Sequence, residues 1–137
     1  MSIEQNKAMI RRLFEEGFNK RDWHAFESIM SPEFINYDMP MPQRGPVGFR
    51  AVVEMFTTAF PDMAITIDEL IGEGDLVMTR GTFTGTNTGS FMNMPPTGRQ
   101  VNVKYIDIWR IRDGLLMENW VRLDELGMMR QLGLIPG

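Results

Sequence analysis

Residues 101–123 read VNVKYIDIWRIRDGLLMENWVRL, and how this stretch folds back on itself decides the fold. Two runs rich in β-branched and aromatic residues, Val101 to Ile111 and Leu115 to Leu123, flank Arg112-Asp113-Gly114. Asp-Gly between alternating apolar runs is a strong hairpin signal. A three-residue loop with Gly114 in the left-handed position sets Ile111 against Leu115, Trp109 against Met117 and Tyr105 against Val121. It also sets Val103 against Leu123 and Asp107 against Asn119. One face is then almost wholly apolar or aromatic, with Asp107 and Asn119 as a polar island. The other face mixes Lys104, Arg110, Glu118 and Arg122 with Ile106, Ile108, Leu116 and Trp120, which suits partial exposure or a subunit contact. A two-residue loop would move the pairing by one residue and mix the faces, so the three-residue loop is expected.

Upstream, the same period of two runs back to Pro61. Ile65 and Ile67 alternate with Thr66 and Asp68, Gly72-Glu73-Gly74-Asp75 reads as a turn, and Leu76 to Thr86 as a strand. Asn87 to Gly98, with a Pro-Pro pair, is a long loop. Before Pro61 the period is helical. Ile10, Leu13, Phe14 and Phe18 form one apolar stripe, opened by a Ser2/Gln5 capping box. Asp22 is expected to cap a second helix carrying Trp23, Phe26, Ile29 and Met30, ended by Ser31-Pro32. Phe34 to Tyr37 reads as a short strand and residues 39–46 as a loop. Phe49, Val52, Val53, Phe56 and Phe60 mark a third helix. Leu126, Met129 and Leu132 suggest a short final helix, with Asp124 at its N-cap. Helices first and antiparallel strands after them give an α+β fold, its curved sheet packed on the N-terminal helices around a pocket.

The 137 residues make one domain, residues 1–137, without repeats or linkers. Zero Cys excludes disulfides, thiolate metal sites and a cysteine nucleophile, and a single His excludes a multi-histidine metal site. A net charge of −4 without a basic block argues against a nucleic-acid binder. No apolar run approaches the ~20 residues that span a bilayer, and no signal peptide is evident, so a cytoplasmic location is expected.

A carboxylate inside an apolar face must be hydrogen-bonded, protonated or both. Desolvation moves it toward the range useful for acid–base work, which makes Asp107 the leading catalytic candidate. Asn119 opposite it is either a donor to it or to a substrate carbonyl, or half of a self-satisfied buried pair. Tyr37, at the end of the first strand, is either a donor to a developing enolate oxygen or a structural hydroxyl. Asp124 is either a helix cap or, with a bulge, a pocket group. Arg80 is either buried against a carboxylate or solvated on a strand face. His24 lies on a helix face beside Trp23, and without a nucleophile elbow no Ser-His-Asp triad is built on it. Tyr105, Trp109, Trp120, Phe91, Met39, Met117, Val121 and Asn87 complete the expected binding set, and the 13 Met include a cluster at Met39, Met41, Met92, Met94 and Met117 around the same pocket.

An ordered set of short motifs spans nearly the whole chain. They are Phe60-Pro61-Asp62, Gly74-Asp75, Arg80-Gly81-Thr82, Gly85-Thr86-Asn87-Thr88-Gly89-Ser90-Phe91, Pro95-Pro96-Thr97-Gly98-Arg99, Asp107-Ile108-Trp109-Arg110, Asp113-Gly114 and Gln131-Leu132-Gly133. The set resembles the SnoaL-like polyketide (ester) cyclases of the nuclear transport factor 2-like superfamily. The resemblance implies a cone of curved antiparallel sheet around an apolar cavity, and a homodimer or higher oligomer joined through the outer sheet face. It implies aldol ring closure without metal or cofactor, with a pocket carboxylate removing a proton beside a carbonyl. The chain departs from the family at four places. Asn87, Asn119 and Tyr37 stand where the family often has His, and Val121 where its cyclases carry the key Asp.

Three readings follow. The first is a cofactor-independent cyclase, isomerase or lyase acting on a small apolar carbonyl compound through Asp107, with Asn119 and Tyr37 as polar partners. The second is a non-catalytic small-ligand-binding or assembly module on the same cone. The third is an epoxide hydrolase-like activity. The geometry around Asp107 discriminates among them.

Overall fold

The computed structural model describes residues 2–137. The Ser2/Gln5 capping box closes as expected: the Ser2 hydroxyl accepts the Gln5 amide proton, and the Gln5 side chain accepts that of Ser2. It opens α1 (Ile3–Arg12), which runs directly into a wider π-helical segment, Leu13–Asn19. The wide turn places Leu13, Phe14, Gly17 and Phe18 all on the buried side. Asp22 caps α2 (Trp23–Glu27) by accepting the amide protons of His24 and Ala25. That helix stops three residues short of Met30. The Ile29 carbonyl accepts the Leu116 amide and Met30 pairs with Leu116, so Met30 opens β1 (Met30–Asn36) instead of closing the helix. Gly45, at φ 88°, ends the following loop where a Cβ would lie 2.6 Å from the Pro32 carbonyl oxygen. Pro46 then sits in the first turn of α3 (Pro46–Ala59), where its missing N–H costs nothing.

The four remaining strands are β2 (Ala64–Glu73), β3 (Leu76–Thr86), β4 (Gln100–Arg112) and β5 (Leu115–Leu123), followed by α4 (Glu125–Gln131). They form one curved, unclosed sheet in the order β1-β5-β4-β3-β2. The α+β cone is as expected, with one correction: β1 runs parallel to β5. No hairpin ties β1 to its neighbour, so nothing forces it to run antiparallel. Burial alternates strictly along β3 and β4. Val77, Thr79, Gly81, Phe83, Val103, Tyr105, Asp107, Trp109 and Ile111 face the helices, and Arg80, Thr82, Lys104 and Ile106 face out. Of the stripe expected for α4, Leu132 at its C-cap is buried, Leu126 is exposed, and Met128 is buried rather than Met129.

The β4–β5 hairpin corrects the expected register. The turn holds two residues, Asp113 at φ 52° and Gly114 at φ 75°, and Arg112 pairs with Leu115. Two successive left-handed residues make the turn that suits the right-handed twist of paired strands. Such a turn alone would have mixed the faces. A bulge at Met117 restores them: Ile111 pairs with Leu116, but Arg110 pairs with Glu118. Beyond the bulge every β5 residue is two places from its expected partner, which preserves the face and changes the neighbour. Asp107 is opposite Val121, Trp109 opposite Asn119 and Tyr105 opposite Leu123. Among the described residues no helix is long and apolar enough to cross a membrane.

Candidate active site

The concave face of the sheet, the π-helical segment and α3 enclose a cavity of about 100 Å³. Its wall is apolar, with Phe14, Phe18, Phe49, Val53, Phe56 and Phe83 among its residues. Three polar side chains reach it, Asp107, Asn36 and Asn119, together with Tyr105. Among the described residues no Lys, Arg or His lines it.

Asp107 is 5% exposed and is held by two donors. The Thr79 hydroxyl, on the residue directly across in β3, donates to Oδ1. The Trp109 indole, two residues along on the same face of β4, donates to the same oxygen over 2.9 Å. Oδ2 takes neither proton. No side chain donates to Oδ2, and Asp107 is among the residues that line the cavity. Burial pushes the Asp107 carboxyl up to about 7, against the opposing pull of the Thr79 and Trp109 donors. Burial also raises the Tyr105 phenol, whose hydroxyl donates to the Thr66 carbonyl over 2.8 Å.

Asn36 and Asn119 form a second polar unit. Asn36 Nδ2 donates to Asn119 Oδ1 over 2.6 Å, and Asn119 Nδ2 donates to the carbonyls of Ile108 and Trp120. Asn36 Oδ1 accepts the Asp38 amide. Both Asn119 amide protons are thereby engaged. Among the described residues no protein acceptor takes the second amide proton of Asn36. Asn119 does not touch Asp107, because the Met117 bulge moves it opposite Trp109.

Of the residues expected at the site, Asp107, Asn119, Tyr105, Trp109, Val121 and Met39 line the cavity. The others lie elsewhere. Tyr37 is 51% exposed on the outer side, stacked on Trp120 at 5.4 Å and donating to Glu118 over 2.6 Å. Trp120 shares that face, with Arg110 over its ring at 5.7 Å. Strand parity turns Arg80 outward, where it pairs with Glu69 and Asp68. Asp124 caps α4 by accepting the Gly127 amide. Asn87 is buried, but all its side-chain bonds go to Ala59, Gly89 and Thr97, which fastens the long loop to α3. Phe91 packs on Phe56 and Phe60 behind the cavity wall, and Met117 is carried off it by the bulge. Sequence reasoning missed Thr79 and Asn36. The β3 alternation that turns Arg80 outward would have turned Thr79 inward; Asn36 carries no comparable signal, because β1 is a short, irregular edge strand.

The SnoaL-like polyketide cyclase family profile matches residues 8–132. The chain belongs to the SnoaL-like polyketide cyclase family. It is 35% identical over 130 residues to aklanonic acid methyl ester cyclase DnrD of Streptomyces peucetius, covering 91% of this chain and 88% of DnrD. TsrD from Streptomyces laurentii has a TM-score of 0.89 and 30% identity, covering 98% of this chain and 99% of TsrD. IdmH from Streptomyces antibioticus has a TM-score of 0.81 and 31% identity, covering 94% of this chain and 99% of IdmH. Asp107 is the direct cross-strand partner of Val121. Among the described residues no group of three His, Asp or Glu side chains is placed to hold a metal ion.

Proposed function

We propose that this SnoaL-like protein is a cofactor-independent cyclase in which Asp107 is the proton-transfer residue. The observation that carries the reading is a carboxylate that lines an apolar cavity without a cation and has one oxygen free of side-chain donors. A carboxyl near 7 is divided between acid and base at neutral pH, which suits both halves of an aldol closure. Asp107 Oδ2 takes a proton from the carbon beside a carbonyl: the C–H bond breaks, an O–H bond forms, and the electron pair passes into the enolate. Asn36, which lines the same cavity and has an amide proton beyond the one given to Asn119, is the assigned donor to the enolate oxygen. The enolate carbon then bonds to a second carbonyl carbon of the same molecule, and the Oδ2 proton passes to the new alkoxide. No atom is gained or lost.

The cavity also describes the substrate. A carboxylate substrate would be buried beside Asp107 with no counter-ion, so the compound is neutral, an ester or ketone. At about 100 Å³ the cavity is below the ~300–1,000 Å³ of drug-sized sites, so it holds a small compound or the reacting edge of a larger one. Epoxide opening needs a base for water and a separate acid for the epoxide oxygen. Asp107 and a Tyr105 whose proton is committed to Thr66 do not supply that pair.

Proton abstraction can be read without knowing the natural substrate. In D2O, the wild-type protein is expected to exchange the α-protons of small neutral β-keto esters, followed by NMR. Asp107→Asn is expected to be slower by about 10²–10⁴-fold, the usual contribution of a positioned base. Equal rates would overturn the reading, and binding without any exchange would establish the binding-module alternative.

The outer sheet face supports the reading of the chain as a homodimer. Ile71 pairs with Met78, Met78 with Ile108, and Ile108 with Trp120, on which Tyr37 stacks. This apolar row crosses the sheet, and Ile71, Met78 and Tyr37 are among its exposed members. The cations beside it, Arg80, Arg110 and Arg122, are already paired within the chain, so a second copy meets apolar surface rather than unpaired charge. Met78→Lys with Ile108→Lys is expected to turn a dimer into a monomer in sedimentation velocity; a wild-type monomer would overturn this.

A further inference from the structure

We propose that Thr79 is a positioning residue, whose hydroxyl fixes the Asp107 carboxylate so that proton exchange takes place at Oδ2, in the cavity. The inference rests on the reading of Asp107 as the proton-transfer residue.

Thr79 is fully buried, at 0% exposure. Its inward neighbours on β3 are Val77, Gly81 and Phe83, so it is the single inward hydroxyl of that strand. Valine would satisfy the same apolar position. A buried hydroxyl needs a partner, and this one is the carboxylate directly across the sheet. The Trp109 indole brings a second donor to the same oxygen. An oxygen that already accepts two protons is the worse site for a third, so protonated Asp107 carries its hydrogen on Oδ2. The ionised form then presents Oδ2 as the base. Without the Thr79 hydroxyl the Trp109 indole is the one side-chain donor left on Oδ1, and the carboxyl is held less firmly against turning its proton toward the sheet.

Few other charges compete. Among the described residues Tyr105 is the one other ionising side chain of the cavity wall. Its hydroxyl lies beside Thr79, and Asp68 of β2 acts on it. The π-helical segment lines the cavity with Phe14 and Phe18, α3 with residues that include Phe49, and β5 with Asn119, Val121 and Leu123, none of which ionises.

The test is the carboxyl titration of Asp107, read by 13C NMR on aspartate-labelled protein and assigned with Asp107→Asn. Thr79→Val keeps the shape of the side chain and removes the donor. The midpoint is expected to rise by about one pH unit, since a hydrogen bond to a charged group is worth roughly one to two. Thr79→Ser is expected to restore it. An unmoved midpoint in Thr79→Val, or a serine variant that behaves like valine, would overturn the proposal. The α-proton exchange rate, measured on the same variants, separates the two readings. If its pH profile moves with the NMR midpoint, both stand. If the midpoint moves and the profile does not, Thr79 still orients Asp107 and Asp107 is not the base.

Discussion

Asp107→Asn is expected to leave the protein more stable at neutral pH than the wild type while removing its proton chemistry. The folded carboxyl lies near 7 and an unfolded aspartate near 3.9. Between those values the native state holds a proton that the unfolded state has released, so wild-type stability falls as pH rises through that window. The loss is ~4 kcal/mol over about three pH units, complete once the folded group has ionised. Asparagine carries no charge, and its carbonyl oxygen accepts the Thr79 and Trp109 protons in place of Oδ1, so neither of those donors is orphaned and the new amide, on the cavity side, costs less than a buried charge. Urea denaturation at pH 4.5 and pH 8 checks this. The wild type should lose several kcal/mol more than the variant between the two, and parallel behaviour would overturn it. Asp38, Asp62 and Asp75 do not confuse the comparison. Hydrogen bonds from backbone, threonine and arginine donors hold them below the usual carboxylate range, so their stabilisation is lost only as pH falls below that range, in both proteins. A buried charge that weakens the fold and lines a cavity is the usual trade of stability for activity.

Much of this is legible in the order of the residues alone. The alternation over 101–111 assigns the inward residues correctly, because a period of two has only two faces to choose between. Asp107 among apolar neighbours is therefore visible as a buried carboxylate. Its neighbours are not. The two-residue turn at Asp113-Gly114 and the bulge at Met117 cancel in their effect on the faces. The same inward set on β4 thus arises from two registers, and periodicity cannot separate them. The expected Asp107–Asn119 pair does not form for that reason, and Asp107 meets Thr79 and Trp109 instead. Tyr37 and Arg80 go to the outer face for a related reason, because each lies one residue beyond an inward position, Asn36 and Thr79. Asn87 shows the opposite limit. Its burial says nothing of the cavity, because its amide is spent on the loop it fastens.

Trp109 is expected to be the most damaging side chain to remove, and its two replacements divide its two roles. It is 1% exposed and sits among Phe14, Phe18, Phe34 and Phe49, with ring centroids 6.1 to 6.5 Å away. Trp109→Ala opens a cavity at the centre of that cluster and should cost about 3–5 kcal/mol. For a chain of this size that is a fall in melting temperature on the order of 10–20 °C. Trp109→Phe keeps an aromatic ring in the cluster and should cost clearly less. Both lose the indole N–H, so both leave Asp107 Oδ1 with Thr79 as its one donor. The carboxyl should then titrate higher in each variant, by a similar amount, although their stabilities differ widely. Thermal denaturation reads the packing, and Asp107 carboxyl NMR at a temperature where both variants are folded reads the charge. A midpoint that follows the loss of stability would show that packing alone sets it. A midpoint shared by the two variants ties it to one hydrogen bond, donated by the residue that also holds the core together.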